Sequence, residues 1–368
     1  MAIFFFFFTA ALLAAFTSHY FLYLSLLRFF TWPTGNKFWL VAGLAVFAGG
    51  FIILLILGRF LNAIYLNWLY LIFAGWYGLL VYLLSASAIV LAIGRLAGLA
   101  PQSTALRNLA VVFFILAFLA ASAGAINARI LRVKQQTITI QNLPGAWQDK
   151  TIVQISDVHA GAINKNRWLE KMADQINALN PEAIFITGDY FDGTSHDFAR
   201  LASPLARLRA RSGVFFITGN HETYLDTATA LDALRASQVR VLDNEIIDLA
   251  GLKIIGLSYG QGQTKTLIGL LEQAKTSPAP KILLYHIPRL TAEAKAAGIN
   301  LQLSGHTHRG QIFPFNLMTR LIYGRYHYGW HQDGAYHLNT SAGTGTWGPP
   351  LRTTGAPEIT AITLKAQN

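Results

Sequence analysis

The chain has 368 residues, of which 53% are hydrophobic and 13% charged, and it carries 29 basic and 18 acidic residues but no cysteine. This composition excludes a wholly soluble enzyme, an intrinsically disordered chain and a disulfide-stabilised scaffold. No Asp or Glu precedes Asp149, whereas eight basic residues do. The net charge of +11 therefore belongs mostly to the apolar first part of the chain, and it does not indicate nucleic-acid binding.

Four uncharged stretches dominate the first part of the chain, at 2–27, 38–58, 60–94 and 108–128. Each is long enough to cross a bilayer, which takes roughly 20 apolar residues in a helix. The third stretch is too short for two spans and a loop, so it predicts one long helix. The chain opens without a basic residue after Met1, so we expect a first span rather than a cleaved signal peptide. These stretches predict a transmembrane helical domain of four spans over residues 1–135.

The basic residues give the expected orientation. An even number of spans places both ends of this domain on one side, and the loops carry four basic residues on each side. The tightest cluster, Arg129, Arg132 and Lys134, directly follows the last span, and positive charge near a span end is retained in the cytoplasm. We expect a multi-pass protein of the cell (inner) membrane with everything after Lys134 in the cytoplasm. His19, inside the first stretch, is either a functional intramembrane group or a residue packed against a neighbouring helix.

From residue 136 to 368 the pattern changes to that of an α/β domain. An alternating strand is predicted at 137–140, mostly buried strands at 151–156, 183–187, 214–218, 252–258, 281–285 and 301–303, and further strands at 335–340 and 358–364. Helical patterns are predicted at 167–179, 198–211, 227–236, 264–275 and 289–297. Strands that alternate with helices predict a layered α/β fold. The hairpin around Ala250 and Gly251 and the strand-rich end predict mixed rather than purely parallel sheets.

Polar side chains follow these strands where each one ends. Strand ends in α/β sheets converge on one crevice, so we expect the side chains to meet there. Seven nitrogen and oxygen donors result: Asp157, His159, Asp189, Asn220, His286, His306 and His308. Imidazole and carboxylate together favour Mn, Fe, Zn or Co over Ca. The set predicts a site for two divalent metal ions that share a bridging carboxylate, with manganese as the first expectation.

Such a site suits phosphoester hydrolysis. Two divalent ions, two carboxylates and a bridging hydroxide leave a positive charge that attracts a phosphate ester, and the metals make the hydroxide available at neutral pH. His221, beside Asn220, either donates a proton to the leaving group, and so is the candidate catalytic residue, or supports the metals. Asp192 is expected to orient a ligand imidazole or a loop. His196 is expected to be a solvated loop residue.

The ordered motifs D-x-H, G-D-x-x-D, G-N-H-E, a lone His and G-H-x-H resemble the calcineurin-like metallophosphoesterase superfamily over roughly residues 150–365. The resemblance implies a four-layer αββα sandwich with a two-metal site at the strand ends. It assigns Asp157, His159 and His308 to one metal. It assigns Asn220, His286 and His306 to the other, and Asp189 to both.

The tail at 339–352, NTSAGTGTWGPPLR, is similar to the bacterial membrane-attached branch of this superfamily. Some members of that branch are similar to UDP-diacylglucosamine hydrolases. Arg309 stands where related proteins often carry Gly, and it either contacts phosphate or points to solvent. The aromatic segment 312–330 is an acyl-chain groove, a segment resting on the membrane surface, or a loop packing over the sheets.

The predicted function is that of a membrane-anchored, dinuclear-metal phosphoesterase that hydrolyses a phosphodiester or pyrophosphate. We expect a lipid-linked ester, because four spans are a costly anchor for an enzyme that acts on a soluble metabolite. The expected partners are this substrate and the lipid bilayer, without nucleic acid, and the sequence assigns no oligomeric state. The alternative is a membrane sensor or transporter whose phosphoesterase-like domain binds metal or nucleotide without turnover. A metallopeptidase is disfavoured because no H-E-x-x-H helix is present.

Overall fold

The computed structural model describes residues 2–57, 64–194, 197–260 and 263–367. The chain forms two compact units. One comprises Met1–Ile126 with Gly348–Leu351, and the other comprises Asn127–Trp347 with Arg352–Asn368. The domain boundary at residue 135 stays a prediction. His196 lies outside the described residues.

The first unit contains four long helices. They are α1 (Ala2–Phe29), α2 (Thr34–Leu57), α3 (Ile64–Leu96) and α4 (Thr104–Asn127). Within the described residues all four are long and apolar enough to cross a membrane, over Thr9–Phe29, Thr34–Leu54, Leu66–Leu96 and Thr104–Asn127. The prediction of four such helices, with a single one in the third stretch, is confirmed.

His19 is buried in the first unit, and both of its ring nitrogens are hydrogen-bonded. Its Nδ1 lies 2.7 Å from the Ala15 carbonyl oxygen, and its Nε2 accepts a hydrogen bond of 2.8 Å from Trp76 Nε1. The imidazole also packs edge-on against the Tyr77 ring. These contacts join α1 to α3 and favour the packing interpretation of this histidine, because an unpaired polar group in hydrocarbon is costly.

The second unit contains two six-stranded sheets among the described residues. Its strands are β1 (Arg132–Ile140), β2 (Thr151–Ile155), β3 (Ala183–Ile186), β4 (Val214–Phe216), β5 (Arg240–Val241), β6 (Glu245–Leu249), β7 (Leu252–Leu257), β8 (Lys281–Tyr285), β9 (Leu301–Ser304), β10 (Gly329–Asp333), β11 (Tyr336–Thr340) and β12 (Glu358–Ala366). One sheet has the order β1-β12-β2-β3-β4-β5, and the other has the order β10-β11-β9-β8-β7-β6. Both are mixed, as predicted, because β12 pairs antiparallel with β2, and the β6-β7 and β10-β11 pairs are antiparallel.

Six helices accompany these sheets in the described residues. They are α5 (Asn166–Asn177), α6 (Phe198–Ala202), α7 (Thr227–Ala236), α8 (Gln263–Lys275), α9 (Thr291–Ala296) and α10 (Phe315–Tyr323). The predicted helix at 198–211 is wrong in its length, since α6 ends at Ala202 and a 3-10 turn follows over Ser203–Arg207. Pro204 has no backbone N–H to continue an α-helix, which explains the change.

Three apolar clusters define the layers. The cluster between the sheets joins residues of both, such as Phe185 and Leu284. A second cluster packs α5 and α7 on the outer face of the first sheet, with Leu169 and Leu234 among its members. A third packs α8 and α9 on the outer face of the second sheet. The order helix, sheet, sheet, helix is the predicted four-layer sandwich.

The parallel strands determine at which edge of the sheets the predicted donors gather. The strands β2, β3 and β4 run parallel in one sheet, and β7, β8 and β9 run parallel in the other. Neighbouring parallel strands end at the same edge of a sheet, so the loops that follow them gather there.

Candidate metal centre

All seven predicted donors come together at this edge. Asp157 and His159 follow β2, and Asp189 follows β3. Asn220 lies in the loop after β4, His286 directly follows β8, and His306 and His308 follow β9. Six of these donors, together with His221, form three groups, and within each group one ligand atom per residue lies within 4.8 Å of the others. They are Asp157, His159 and His308; His159, Asp189 and His221; and Asp189, His286 and His306.

Asp157, His159 and His308 form one half of the cluster. His308 Nε2 lies 3.3 Å from Asp157 Oδ1 and 3.0 Å from His159 Nε2. Asp157 and His159 are fully buried. Two imidazole nitrogens this close would repel each other if both carried a proton. At least one of the two Nε2 atoms therefore presents a lone pair to the other.

Asp189, Asn220, His286 and His306 form the other half. His286 Nε2 lies 3.3 Å from Asp189 Oδ2 and 3.2 Å from Asn220 Oδ1. Asn220 Oδ1 also lies 2.8 Å from His306 Nδ1. His286 Nδ1 lies 2.7 Å from the Thr187 carbonyl oxygen, and donation to that oxygen turns Nε2 toward the cluster, where loss of its proton would free a lone pair for a bound cation.

His221 lies between the two halves. Its backbone N–H donates to Asp189 Oδ1 at 2.8 Å, and its ring centroid is 4.6 Å from that of His159. The rings of Tyr224 and Trp347 flank it edge-on, and both are substantially exposed. His221 is therefore placed at the solvent side of the cluster, beside a rim of aromatic side chains.

Backbone conformation at the cluster is unusual. Asp157, His159, Asp189, His306 and His308 all have positive φ, between 48° and 71°. Residues other than Gly, Asn and Asp rarely adopt this left-handed region, and such strain tends to collect at functional sites. The sharp turns that follow the strands are thus made by the candidate ligands themselves.

Two glycines allow the loops to approach each other closely. A Cβ atom on Gly219 would collide with the Asp189 carboxylate. A Cβ atom on Gly305 would collide with Ser156 Oγ and Asp157 Oδ2. Close packing of backbone against carboxylate therefore requires glycine at both positions.

Glu222 organises the loops, and its role was not predicted from the sequence. Its buried carboxylate accepts hydrogen bonds from the backbone N–H groups of Asp189, Tyr190, Phe191 and Gly219, at 2.7–3.3 Å. It thereby links the loop after β3 to the loop after β4. The G-N-H-E motif contains this residue, but the motif gives no sign that its carboxylate accepts from four amides.

Arg352 is a second residue that was not predicted. It is fully buried, and it donates to the Gly345 and Ala342 carbonyl oxygens at 3.0 and 2.7 Å. Its Nη2 also lies 3.1 Å from His308 Nδ1. Its guanidinium thus ties His308 to the tail that carries the NTSAGTGTWGPPLR sequence.

The sequence left two possible roles for Arg309 and two for Asp192, and the contacts of both residues bear on the choice. The Arg309 guanidinium lies 4.4 Å from the Tyr328 ring centroid, a cation–π arrangement rather than one aimed at the cluster or at open solvent. Asp192 Oδ1 accepts from the backbone N–H and the hydroxyl of Thr194, while its carbonyl oxygen lies 3.4 Å from His221 Nδ1. Its carboxylate therefore orders a loop, one of the two roles expected for it.

Charges in the cluster are strongly coupled. Burial opposes the ionisation of Asp157 and Asp189, but His308 beside the first and His286 beside the second hold the pKa of each carboxyl well below its usual range. Burial likewise opposes the cationic form of His286, yet Asp189 raises its pKa to about 10. Burial and neighbouring imidazoles lower the pKa of His159, and they lower that of His306 to about 4. Two buried carboxylates thus draw positive charge into the site.

The residues fit a pair of divalent metal ions. Aspartates, an asparagine oxygen and imidazoles are the donors that Mn, Fe, Zn and Co accept. The Asp157 and Asp189 carboxylates form no ion pair with lysine or arginine among the described residues, and an imidazole nitrogen lies 3.3 Å from each of them. Bound cations would supply the compensating charge that protonated imidazole otherwise provides.

Comparison with known proteins identifies the family. The family model for the calcineurin-like phosphoesterase matches residues 150–310. The chain is 32% identical over 260 residues to an uncharacterized metallophosphoesterase of Aquifex aeolicus, covering 68% of this chain and 99% of that protein. The chain belongs to the calcineurin-like metallophosphoesterase family. The predicted resemblance is confirmed.

Other members of this family are similar to the chain over comparable lengths. An uncharacterized metallophosphoesterase of Campylobacter jejuni is 31% identical over 250 residues, which cover 66% of each chain. A transmembrane protein with metallophosphoesterase domain from Danio rerio is 30% identical over 292 residues, covering 72% of this chain and 64% of that protein. The match thus spans slightly less than two thirds of the length of both relatives. This metallophosphoesterase chain combines the family's metal-binding domain with four helices able to span a membrane.

Proposed function

We propose that this protein is a membrane-anchored phosphoesterase that uses two divalent metal ions to hydrolyse a phosphodiester or a pyrophosphate. The observation that carries the proposal is the position of Asp189. Its carboxylate belongs to a group with His286 and His306, and it also lies within reach of His159, which forms a further group with Asp157 and His308. A single carboxylate within reach of two sets of donors is the arrangement that a pair of neighbouring metals requires.

The division of the donors follows the two halves of the cluster. Asp157, His159 and His308 would hold one ion, Asn220, His286 and His306 would hold the other, and Asp189 would bind both. Bound there, two such ions supply positive charge for a phosphoryl group and make hydroxide available at neutral pH. Manganese is our first expectation, and Fe, Zn or Co have the same donor preferences.

His221 is proposed as the catalytic residue. Its backbone N–H is fixed by Asp189, and its ring lies beside His159 on the solvent side. From this position the imidazole can donate a proton to the oxygen that leaves phosphorus, or a hydrogen bond to a phosphoryl oxygen. Glu222 and Arg352 are proposed to position the loops that carry these residues.

The first test is hydrolysis of bis-p-nitrophenyl phosphate by the full chain, purified in detergent and supplied with Mn²⁺. We expect Asn220→Ala to lose at least tenfold in kcat/KM, because it removes a proposed metal ligand. Asn166→Ala is the matched control, since the Asn166 amide bonds the Arg200 carbonyl outside the cluster. Full activity in Asn220→Ala would overturn the site assignment. Two bound ions without hydrolysis of any ester would favour a metal-binding sensor instead.

We further propose that the ester is lipid-linked, of the kind found in UDP-diacylglucosamine. Four membrane-capable helices are a costly anchor for an enzyme of soluble metabolites. The basic cluster after α4 supports placement of the phosphoesterase domain in the cytoplasm, and we propose that the membrane is the cell (inner) membrane. The test is competition in detergent between soluble nucleotides and lipid pyrophosphates. Equal turnover of both would contradict the proposal of a lipid-linked substrate, but it would not contradict the proposed hydrolase function.

A further inference from the structure

The polarity of helix α10 is the reverse of that expected in a soluble domain. Its inner side carries polar groups: Asn316 Oδ1 is buried, and Thr319 Oγ1 bonds the Asn316 carbonyl at 3.1 Å. Tyr323, on the same side, packs its ring 5.9 Å from that of His306. A surface helix of a globular protein normally turns its apolar side inward and its polar side to water.

The outer side of α10 is apolar and exposed. Leu317, Met318, Leu321 and Ile322 occupy positions i, i+1, i+4 and i+5, which lie on one side of a helix. Each is more than half exposed, and Leu321 reaches 86%. We call these four side chains the α10 apolar face. Single exposed apolar residues are ordinary, but a contiguous group of this kind marks a surface that contacts another apolar phase.

The charges around this face are mostly positive. Arg320 lies within α10 and Arg325 lies two residues after its end, and both side chains are exposed. The acidic Glu293 lines the same cavity as Ile322, whereas Asp333, near Arg325, is paired with Lys295 at 2.8 Å. An apolar helix face bordered by two exposed arginines complements a bilayer surface that carries acidic lipids.

The phosphoesterase domain is joined to the membrane-capable helices by a short connection. Helix α4, the last of the membrane-capable helices, ends at Asn127, and β1 begins at Arg132. Four residues of chain therefore connect a membrane-capable helix to the phosphoesterase domain. The phosphoesterase domain is thus tethered close to a bilayer by a short segment, whereas a soluble partner would have to be recruited.

We propose that the α10 apolar face docks onto the acidic-lipid surface of the membrane in which the protein resides. Leu317, Met318, Leu321 and Ile322 enter the boundary between headgroups and acyl chains, and Arg320 and Arg325 pair with lipid phosphates. This contact goes beyond the proposed hydrolase function, because it concerns the bilayer and holds for any ester substrate.

The absence of cysteine allows a direct test with the full chain. Leu321→Cys creates a unique site for the environment-sensitive dye NBD, and Ile268→Cys on α8, an exposed apolar position outside α10, is the matched control. Both variants are reconstituted in nanodiscs of phosphatidylcholine and phosphatidylglycerol, with brominated lipid or aqueous acrylamide as quencher. We expect the label at 321 to be blue-shifted, quenched by brominated lipid and protected from acrylamide, and the label at 268 to behave in the opposite way.

Two results would overturn the proposal. Quenching of both labels by acrylamide alone would place the α10 apolar face in water. Protection of the 321 label from both quenchers would mean that protein, such as a second copy of the chain, covers it. None of these readouts depends on bound metal or turnover, so failure here leaves the proposed hydrolase standing.

The role of the arginines is tested separately. Arg320→Gln combined with Arg325→Gln should reduce brominated-lipid quenching at position 321 in discs with phosphatidylglycerol, and should have little effect in pure phosphatidylcholine. Arg235→Gln on α7, an exposed arginine outside this surface, is the matched control. Equal quenching in the double variant and the parent in both lipids would exclude acidic headgroups as the partner.

Discussion

At the scale of single residues, the cluster depends on side chains outside the proposed set of metal ligands. Glu222 accepts from four backbone amides, and Arg352 joins two carbonyl oxygens to His308. Burial and the nearby Asp189 charge raise the pKa of Glu222 to about 7, while the donated N–H groups favour its anion. Such positioning groups are expected to affect metal affinity nearly as strongly as the ligands do.

Replacement of Glu222 by Gln tests this dependence. The amide nitrogen of Gln cannot accept from backbone N–H groups, so two buried donors lose their partner. We expect the free energy of unfolding to fall by about 1–3 kcal/mol, and Mn²⁺ affinity to fall by roughly 10- to 100-fold. Denaturant unfolding and calorimetric titration measure the two effects. Glu272→Gln, at an exposed surface pair with Lys275, is the control, and equal behaviour of the two variants would contradict the role of Glu222.

His337 predicts a pH dependence of stability that is separate from the metal cluster. Its ring packs against Trp330 between the sheets, and burial lowers its pKa. A histidine that is neutral when folded takes up a proton on unfolding, so its contribution to stability is present above about pH 6.5 and declines as the pH falls below that value. The stability of His337→Asn relative to the parent should therefore be higher at pH 5 than at pH 7.5. Unfolding free energies at both pH values measure the change, and a constant difference would rule it out.

At the scale of elements, the strands and the order of the donors were predictable, but the loop geometry was not. Apolar runs such as those of β3 and β8 are buried at every residue, so their pattern alone locates them. By contrast, β5 has two residues and β10 reads Gly-Trp-His-Gln-Asp, and neither shows the period of a strand. The positive φ angles at five candidate ligands and the amide contacts of Glu222 arise only when separate loops meet, so no local pattern contains them.

The loop after β9 gives a prediction at this scale. Gly305→Ala places a methyl group against Ser156 Oγ and Asp157 Oδ2, which forces the two loops apart. We expect loss of phosphoesterase activity and weaker Mn²⁺ binding. Gly269→Ala in α8 meets no atom within 4 Å and should keep full activity, with stability unchanged or raised by up to about 1 kcal/mol. Activity assays and metal titration of both variants test this expectation. An active Gly305→Ala variant would show that close approach of the loop after β9 to Ser156 and Asp157 is not required.

At the scale of the whole molecule, metal binding and folding of the phosphoesterase domain should be linked. The donors lie far apart in the chain, from Asp157 to His308, so only the folded domain assembles them. A ligand that binds the folded state alone raises stability in proportion to the logarithm of its concentration. The thermal midpoint of the domain should therefore rise with Mn²⁺ and fall after treatment with a chelator. Differential scanning calorimetry of the full chain measures this, and Asn220→Ala should reduce the response; a midpoint independent of Mn²⁺ would contradict it.

The pairing of β1 with β12 has a consequence for biosynthesis. These strands run side by side over nine residues, and β12 lies between β1 and β2. While the ribosome translates the chain, β1 emerges soon after the membrane-capable helices, whereas its neighbour emerges after every other strand. The first sheet therefore stays open until β12 has been made, and contacts between such distant segments form slowly. Insertion of the helices into the bilayer can precede closure of the sheet, so the nascent phosphoesterase domain waits beside the lipid with an unpaired strand that a chaperone would protect.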